Sequence, residues 1–203
     1  MPNGKTLNIN NGRPKITSAG VLQQCHEATQ PRWYVLRATY SRELKVQTAL
    51  QEKGIRTFIP MMWSVPSSPT RSGIPRKLVP AVSGLVFALA TREALDLYIR
   101  SFGESRPVNY YWDRTTNAPL TVPAKAMEDF ISIASTMDED LIYLTEISDK
   151  LREGQTVKVK DGPFKDVEGK IVRIRKSRRI LVELPGMLAV ASTYIEPHLL
   201  EII

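Results

Sequence analysis

The sequence from Leu151 to Ile174 reads LREGQTVKVKDGPFKDVEGKIVRI, and this stretch decides the fold of the carboxy-terminal part of the chain. Val157 and Val159 alternate with lysines, which predicts a strand with one buried face. The DGPF segment predicts a turn, because glycine accepts a positive φ and proline fixes its own φ. Gly169 begins a second predicted strand, where a missing side chain permits a bulge or a close backbone approach. The stretch therefore predicts the opening hairpin of a small β-barrel.

Length and composition limit what this barrel is attached to. The chain has 203 residues, of which 42% are hydrophobic, and the barrel stretch occupies only its last part, which predicts two domains. Cys25 is the single cysteine, so an intramolecular disulfide is excluded and a reducing cytosol is favoured. No run of about 18 apolar residues occurs, and the first residues lack the apolar region of a signal peptide. We expect a cytoplasmic protein that makes no contact with a membrane.

The positive charge is concentrated in the predicted barrel. Between Lys150 and Arg179 there are eleven Lys or Arg against four Asp or Glu, whereas the rest of the chain carries 17 of each. The densest part, RIRKSRR, lies between KIVRI and RILVEL and predicts a hairpin tip. Such a tip attracts phosphate, although a solvated loop that keeps the protein soluble is an equally good interpretation. The candidate nucleic-acid contacts at this tip are Arg175, Lys176, Arg178 and Arg179.

The preceding part of the chain alternates strand and helix patterns. Residues 1–30 lack periodicity and predict a mobile tail, after which RWYVLRA (32–38) predicts a buried strand. Ser41 is expected to cap a helix that stops at Gly54, and a strand is expected over 55–62. The proline-rich and serine-rich stretch 64–75 predicts a long protruding loop.

The same order then repeats. A strand is predicted over 77–90, a helix capped by Thr91 follows, and further elements are a strand over 108–114 and a helix over 124–135. This order is typical of a ferredoxin-like α+β sandwich. We therefore predict an α+β protein with a tail (1–30), a sandwich domain (31–136), a linker (137–149) and a barrel domain (150–203).

The chain resembles the NusG-type transcription factors, which join an amino-terminal NusG domain to a KOW barrel. In the barrel, Gly169 lies between two strands with apolar residues placed as in a KOW motif, and the other matching segments are WYVL (33–36), IPM (59–61) and PAVSGLVFA (80–88). The last segment matches the family's usual PLFPGYVFV at Pro80, Gly84, Val86 and Phe87 but departs from it at Ser83 and Leu85, among others. Within the family, the long tail and this divergent strand are closer to operon-dedicated paralogues, such as the UpxY antiterminators of capsular-polysaccharide loci.

The resemblance implies a monomeric elongation regulator without catalytic activity. An apolar depression on the amino-terminal domain would hold the clamp helices of the largest RNA polymerase subunit. Its lining would include Tyr34, Phe58, Leu85, Phe87 and Tyr111. For any one of these residues, the alternative is a role in the sheet core. Contact with the polymerase gate loop would fall near Tyr98, Ile99 and Arg100, although Arg100 is also an ordinary solvated helix residue. Contacts with non-template DNA would involve Arg37, Tyr40, Arg42 and Lys45, although such cations are common on any helix face.

The barrel would recruit a further partner, which in relatives is a ribosomal protein or a termination factor. Phe164 beside Lys165 is the candidate anchor, and the alternative is that Phe164 closes the barrel core. An enzyme is not indicated, because the only histidines are His26 and His198 and the sequence lacks zinc-ligand spacing, a phosphate loop and a nucleophile elbow. No cofactor or metal is expected. The rival interpretation is a ribosome-associated or general RNA-binding KOW protein.

Overall fold

The computed structural model describes residues 30–64, 76–103, 106–145, 154–174, 176–185 and 187–203. The expected tail and most of the expected loop at 64–75 lie outside these residues. The first part contains nine strands and three helices: β1 (Arg32–Ala38), α1 (Glu43–Gln51), β2 (Arg56–Phe58), β3 (Met61–Trp63), β4 (Leu78–Pro80), β5 (Leu85–Ala90), α2 (Arg92–Arg100), β6 (Val108–Tyr110), β7 (Trp112–Asp113), β8 (Ala118–Pro119), β9 (Thr121–Val122) and α3 (Ala124–Ala134).

The main sheet of this amino-terminal domain is antiparallel and has the order β2-β5-β1-β6, and β9 also pairs with β1. Side chains alternate along the strands, so each strand contributes to two apolar layers. Tyr34, Leu36 and Val86 pack with α1 and α2, whereas Val35 and Phe87 pack with α3. A sheet with helices on both faces confirms the expected α+β sandwich.

Three of the expected strands are interrupted. The segments predicted over 55–62, 77–90 and 108–114 each form two short strands, because the chain leaves the main sheet for the small hairpins β3-β4 and β7-β8. Gly84 makes the return between β4 and β5 possible. Its φ is +76°, and a Cβ there would lie 2.9 Å from the carbonyl oxygen of Ala38.

The two helix caps have different outcomes. Thr91 caps α2 as expected, since its side chain accepts a hydrogen bond from the backbone N–H of Ala94. The expected cap by Ser41 is wrong. Arg42 occupies the N-cap position of α1 without a side-chain hydrogen bond, and Ser41 has a φ of +51° that turns the chain into the helix.

The carboxy-terminal part is a six-stranded antiparallel sheet with the order β10-β14-β13-β12-β11-β15. It comprises β10 (Ile142–Leu144), β11 (Thr156–Val159), β12 (Glu168–Ile174), β13 (Ser177–Leu184), β14 (Leu188–Tyr194) and β15 (Leu200–Ile202), with a 3₁₀ turn at Pro197–Leu199. The buried side chains of this sheet, among them Val157, Val182 and Val190, form a core, as expected for a small barrel. Gly169 faces a crowded position, because a Cβ there would lie 2.5 Å from Cγ2 of Ile180.

Strand β10 is the main departure from the expected organisation. It lies in the segment 137–149 expected to be a linker, yet it pairs with β14 from Ile142 opposite Ala191 to Leu144 opposite Ala189. The sheet of the barrel therefore begins before residue 150. The expected hairpin at the cationic tip is present between β12 and β13, where Arg173 pairs with Arg178.

Candidate functional site

One face of the amino-terminal sheet carries a continuous apolar layer. We call the buried sheet side chains of this layer the covered face: Trp33, Val35, Leu85, Phe87 and Val122. Helix α3 packs on it through Phe130, whose ring lies 6.0 Å from that of Phe87 and 6.2 Å from that of Phe58. The layer continues into the core of the barrel, because Val182, Leu184 and Val190 belong to the same apolar cluster. Two domains thus share one core.

The residues expected to line an apolar depression are divided between the two faces of the sheet. Leu85 and Phe87 belong to the covered face, with exposures of 2% and 0%, and Phe58 and Tyr111 are half-buried against the same cluster. Tyr34 does not lie with them. Residues 34 and 35 of a strand point to opposite faces, so Tyr34 packs under α1 and α2, with its ring 5.8 Å from that of Tyr110. Burial raises the pKa of its hydroxyl.

Tyr143 of β10 reaches across to the amino-terminal domain. Its ring lies 6.4 Å from that of Phe130, and its hydroxyl donates a hydrogen bond of 3.2 Å to the carbonyl oxygen of Met61. Burial raises the pKa of this hydroxyl to about 12. The neighbours of Tyr143 point the other way, since Ile142 and Leu144 pack against a separate cluster of the barrel that contains Leu181. Strand β10 therefore joins the two domains through alternate side chains.

The segment that precedes β10 is also attached on both sides. We call residues 137–144 the strap. Trp63 donates its indole N–H to the carbonyl oxygen of Met137 at 3.0 Å, and Arg76 forms an ion pair with Glu139. On the barrel side, Arg179 donates through Nη1 to the carbonyl oxygens of Asp140 at 2.7 Å and Ser192 at 2.8 Å. The strap is therefore anchored to the β3-β4 hairpin and to β13.

Lys125 of α3 forms a second polar connection between the domains. Its Nζ lies 2.6 Å and 2.8 Å from the two carboxylate oxygens of Asp129, and it also donates to the carbonyl oxygen of Asp166 at 3.0 Å. Glu168 of the barrel approaches the same amine at 3.7 Å. Burial raises the pKa of the Asp129 carboxyl, and the hydrogen bond and charge of Lys125 oppose this shift. Lys125 thus neutralises a carboxylate that is nearly buried.

The second helix offers less surface than expected for a gate-loop contact. Tyr98 has an exposure of 5% and Ile99 of 6%, because both pack into the cluster between the helices and the sheet. Tyr98 and Ile99 therefore offer little surface to a partner. The side chain of Arg100 is 75% exposed and lies 3.8 Å from the carboxylate of Asp96.

The four residues expected at non-template DNA are exposed near one corner of the domain, where β1 leads into α1. They are Arg37, Tyr40, Arg42 and Lys45. Tyr40 is 86% exposed and has a φ of +57°, which is unusual for a residue with a side chain. The guanidinium of Arg42 lies 5.6 Å from the centre of the Tyr40 ring. The corner therefore combines cations with one exposed aromatic ring.

The barrel corrects two further expectations. Phe164 is only 7% exposed and packs into the core, so it is wrong as an exposed anchor, although the neighbouring Lys165 is exposed. The cationic tip retains Lys176 and Arg178 as exposed residues. Arg175 lies outside the described residues. Arg179 is half-buried and bound to the strap, so it is wrong as part of an exposed cationic cluster.

Sequence reasoning missed the roles of Tyr143 and Lys125. The signal for Tyr143 was the run LIYL within a segment whose charges indicated a linker. For Lys125 there was no signal, because its partners on the barrel are more than 40 positions away in the chain. Within the described ranges, no helix is long and apolar enough to span a bilayer, and no group of three metal-ligating side chains is present.

Two family models and one solved structure are similar to this chain. A family model described as transcription termination factor nusG matches residues 31–131, and a model described as KOW motif matches residues 153–183. Among solved structures, the chain is similar to one titled "Domain interaction in Thermotoga maritima NusG", with 19% sequence identity, a TM-score of 0.42, and coverage of 87% of this chain and 99% of that chain. No curated protein matches the chain. The chain belongs to the NusG family of transcription factors and carries a NusG domain followed by a KOW motif.

Proposed function

We propose that the protein is a cytoplasmic transcription elongation regulator that acts as an antiterminator and has no catalytic activity. The amino-terminal domain binds the clamp helices of the largest RNA polymerase subunit through the covered face, which is flanked by Phe58 on β2 and, at the opposite edge of the sheet, by Tyr111. The observation that carries this proposal is the apolar layer itself, which lies in the NusG domain and continues under Tyr143 and the barrel. A partner helix that takes the place of Tyr143 and the barrel would bury apolar side chains of this layer. Each buried side chain contributes about 1.5 to 3 kcal/mol of binding free energy before the costs of association.

The covered face binds polymerase only after α3, the strap and the barrel, which together bury it, have moved away. The strap is held to the amino-terminal domain chiefly by the side chains of Tyr143 and Trp63, whereas Arg179 and the pairing of β10 with β14 hold it to the barrel. A partner that binds only the uncovered form shifts the population towards it by its differential affinity. Arg100 then contacts the gate loop, and the exposed corner around Tyr40 contacts non-template DNA.

The released barrel recruits a second partner, either a ribosomal protein or a termination factor. Lys165, Lys176 and Arg178 are its exposed cations in this proposal. The departures at Ser83 and Leu85 from the family's usual segment support an operon-dedicated, UpxY-like paralogue that serves loci such as those for capsular polysaccharide. Mapping the protein on transcribed genes tests this assignment, and occupancy of all transcribed genes contradicts it.

Binding of the full chain to purified RNA polymerase tests the main proposal. Phe58→Ala is expected to weaken binding by about 10-fold to 30-fold, which corresponds to the loss of an interface anchor of about 2 kcal/mol. Leu44→Ala is the matched control, because Leu44 is 49% exposed on α1, outside the apolar layer of the covered face. Thermal unfolding verifies that both variants fold. Equal binding by folded Phe58→Ala, together with co-sedimentation of the wild-type chain with ribosomes, refutes the proposal in favour of a ribosome-associated protein.

A further inference from the structure

A concave polar site lies at the start of β1, between the first turn of α2 and the β7-β8 hairpin. The cavity has a volume of about 280 Å³. This volume is near the lower end of the range of about 300 to 1,000 Å³ that is usual for small-molecule sites. We call the site the Tyr34 pocket, and its polar lining consists of Arg32, Tyr34, Arg92, Asp113, Thr116 and Thr121. None of these residues belongs to the covered face or to the strap.

The register of β1 brings donors from three elements to this pocket. Arg32 and Tyr34 are two positions apart in the strand, so they point to the same face of the sheet. Thr121 of β9 lies opposite Tyr34 in the antiparallel pairing, which places its side chain on this face as well. Arg92, the first residue of α2, closes the pocket from the helix. Two guanidinium groups and two hydroxyl groups therefore converge on one cavity.

The hydroxyl of Tyr34 is the unusual group in this pocket. The side chain is buried, with an exposure of 6%, yet its hydroxyl has no hydrogen-bond partner among the residues that the structure describes. By contrast, the hydroxyl of the neighbouring Tyr110 donates to Asp96 at 2.8 Å. The Tyr34 hydroxyl is open to the cavity, because the partnerless side-chain atoms sealed from solvent in the described ranges are Oγ1 of Thr57 and Nε of Arg179 alone. A buried donor that faces a cavity in this way is available to a ligand.

Two cations flank this hydroxyl. Burial raises the pKa of Tyr34, and the charges of Arg92 and Arg32 oppose the shift, as expected for guanidinium groups close to its oxygen. Nε of Arg92 donates to Asp96 at 2.8 Å, and the guanidinium lies 4.7 Å from the centre of the Tyr110 ring. These contacts fix the guanidinium, but its terminal nitrogens donate no hydrogen bond within the described part of the chain. The terminal nitrogens are therefore preorganised donors for an anion.

The one carboxylate in the lining is satisfied within its own hairpin. Asp113 accepts hydrogen bonds of 2.8 Å from the hydroxyl of Thr116 and from the backbone N–H of Thr115, and these bonds lower the pKa of its carboxyl. Two guanidinium groups and this carboxylate give the lining a net charge of +1. Such a lining favours a small anion over a polyanion.

We propose that the Tyr34 pocket binds the phosphate group of a small phosphorylated molecule, with Arg32 and Arg92 as ion-pair donors and the hydroxyls of Tyr34 and Thr121 as further donors. A tetrahedral phosphate presents oxygens to donors from several directions, whereas a planar carboxylate presents two oxygens in one plane. None of the described residues that line the pocket carries an exposed aromatic ring on which a base could stack. The site shares no residue with the contacts proposed for polymerase.

Chemical-shift titration of the isotope-labelled full chain with inorganic phosphate, at constant ionic strength, tests this proposal. The amide resonances of residues 32–34, 92 and 121 are expected to shift along one saturable curve. Tyr34→Phe keeps the ring and removes only the hydroxyl. It is expected to weaken phosphate binding by about 10-fold to 100-fold, which is the effect of losing one hydrogen bond to a charged group.

A second pair of variants tests the charge. Arg32→Gln is expected to weaken phosphate binding by about 10-fold or more, because it removes an ion-pair donor. Arg114→Gln is the matched control, since Arg114 is exposed on the β7-β8 hairpin but does not line the pocket, and it is expected to change the affinity by less than about 2-fold. Glycerol phosphate is expected to bind as inorganic phosphate does, and both are expected to bind more tightly than acetate or a short deoxythymidine oligonucleotide.

Three results overturn the proposal. The first is wild-type affinity for phosphate in Tyr34→Phe, with folding verified by circular dichroism. The second is a set of shifts that spreads over the exposed lysines and arginines without saturation, which indicates general screening by the salt. The third is tighter binding of the oligonucleotide or of acetate than of glycerol phosphate, which assigns the pocket to a nucleic-acid strand or to a carboxylate.

Discussion

Replacement of Tyr143 by alanine tests whether the strap controls access to the covered face. The substitution removes the ring contact with Phe130, at about 0.5 to 1.5 kcal/mol, and the hydrogen bond to Met61, at about 1 kcal/mol. The substitution also removes partly buried ring surface. In total, the form in which the strap lies over the covered face is destabilised by about 3 kcal/mol relative to the uncovered form, in which the strap has moved away. The ratio of covered to uncovered molecules is therefore expected to fall by about 100-fold.

Titration of the full chain with the clamp-helix coiled coil of polymerase measures this change. If only the uncovered form binds, the apparent affinity rises in proportion to its population, up to the limit set by the fully uncovered protein. Tyr143→Phe is the matched variant, because it keeps the ring and removes only the hydrogen bond to Met61. Its expected effect is about 1 kcal/mol, or about 5-fold. Amide hydrogen exchange of β10 reports opening of the strap independently of binding.

The pair of variants also makes the reasoning refutable. If β10 exchanges faster in Tyr143→Ala but the coiled coil binds no more tightly than to the wild type, the strap does not control access. If Tyr143→Phe has the full effect of the alanine variant, the hydrogen bond and not the ring holds the strap.

Further predictions concern the barrel and the pH dependence. Phe164→Ala is expected to lower the free energy of unfolding by about 3 to 5 kcal/mol in chemical denaturation, whereas Lys165→Ala is expected to change it little. Equally small effects of the two substitutions would show that Phe164 is not part of the core. Gly169→Ala is expected to cost about 1 to 3 kcal/mol, because its Cβ meets Ile180, and an unchanged melting temperature would contradict this close approach. Burial raises the pKa of Tyr143 from 10.0 to about 12, so its stabilising effect is complete below pH 10 and is lost as the pH rises to about 12. The melting temperature of the wild type is therefore expected to fall more steeply over this range than that of Tyr143→Phe, and parallel curves would contradict it.

Local patterns in the sequence determined most of the helices, strands and turns. The apolar run of β1, the apolar spacing of α2 with its Thr91 cap, and the glycine turn at Gly162 each depend on neighbours within a few positions of the sequence. Leu85 and Val86 lie on opposite faces of β5, as the alternation of side chains along a strand requires.

Tertiary structure decided which face each residue joined and what covered it. Tyr34 and Phe87 both belong to apolar strands, but only the positions of α1, α2 and α3 show that they lie in separate layers. A charged segment predicted a linker, yet pairing of β10 with β14 made it part of the barrel and placed Tyr143 over Phe130. The periodicity of apolar residues in the sequence indicates which side chains are buried. The partner that buries each of them comes from a distant part of the chain, which no local pattern encodes.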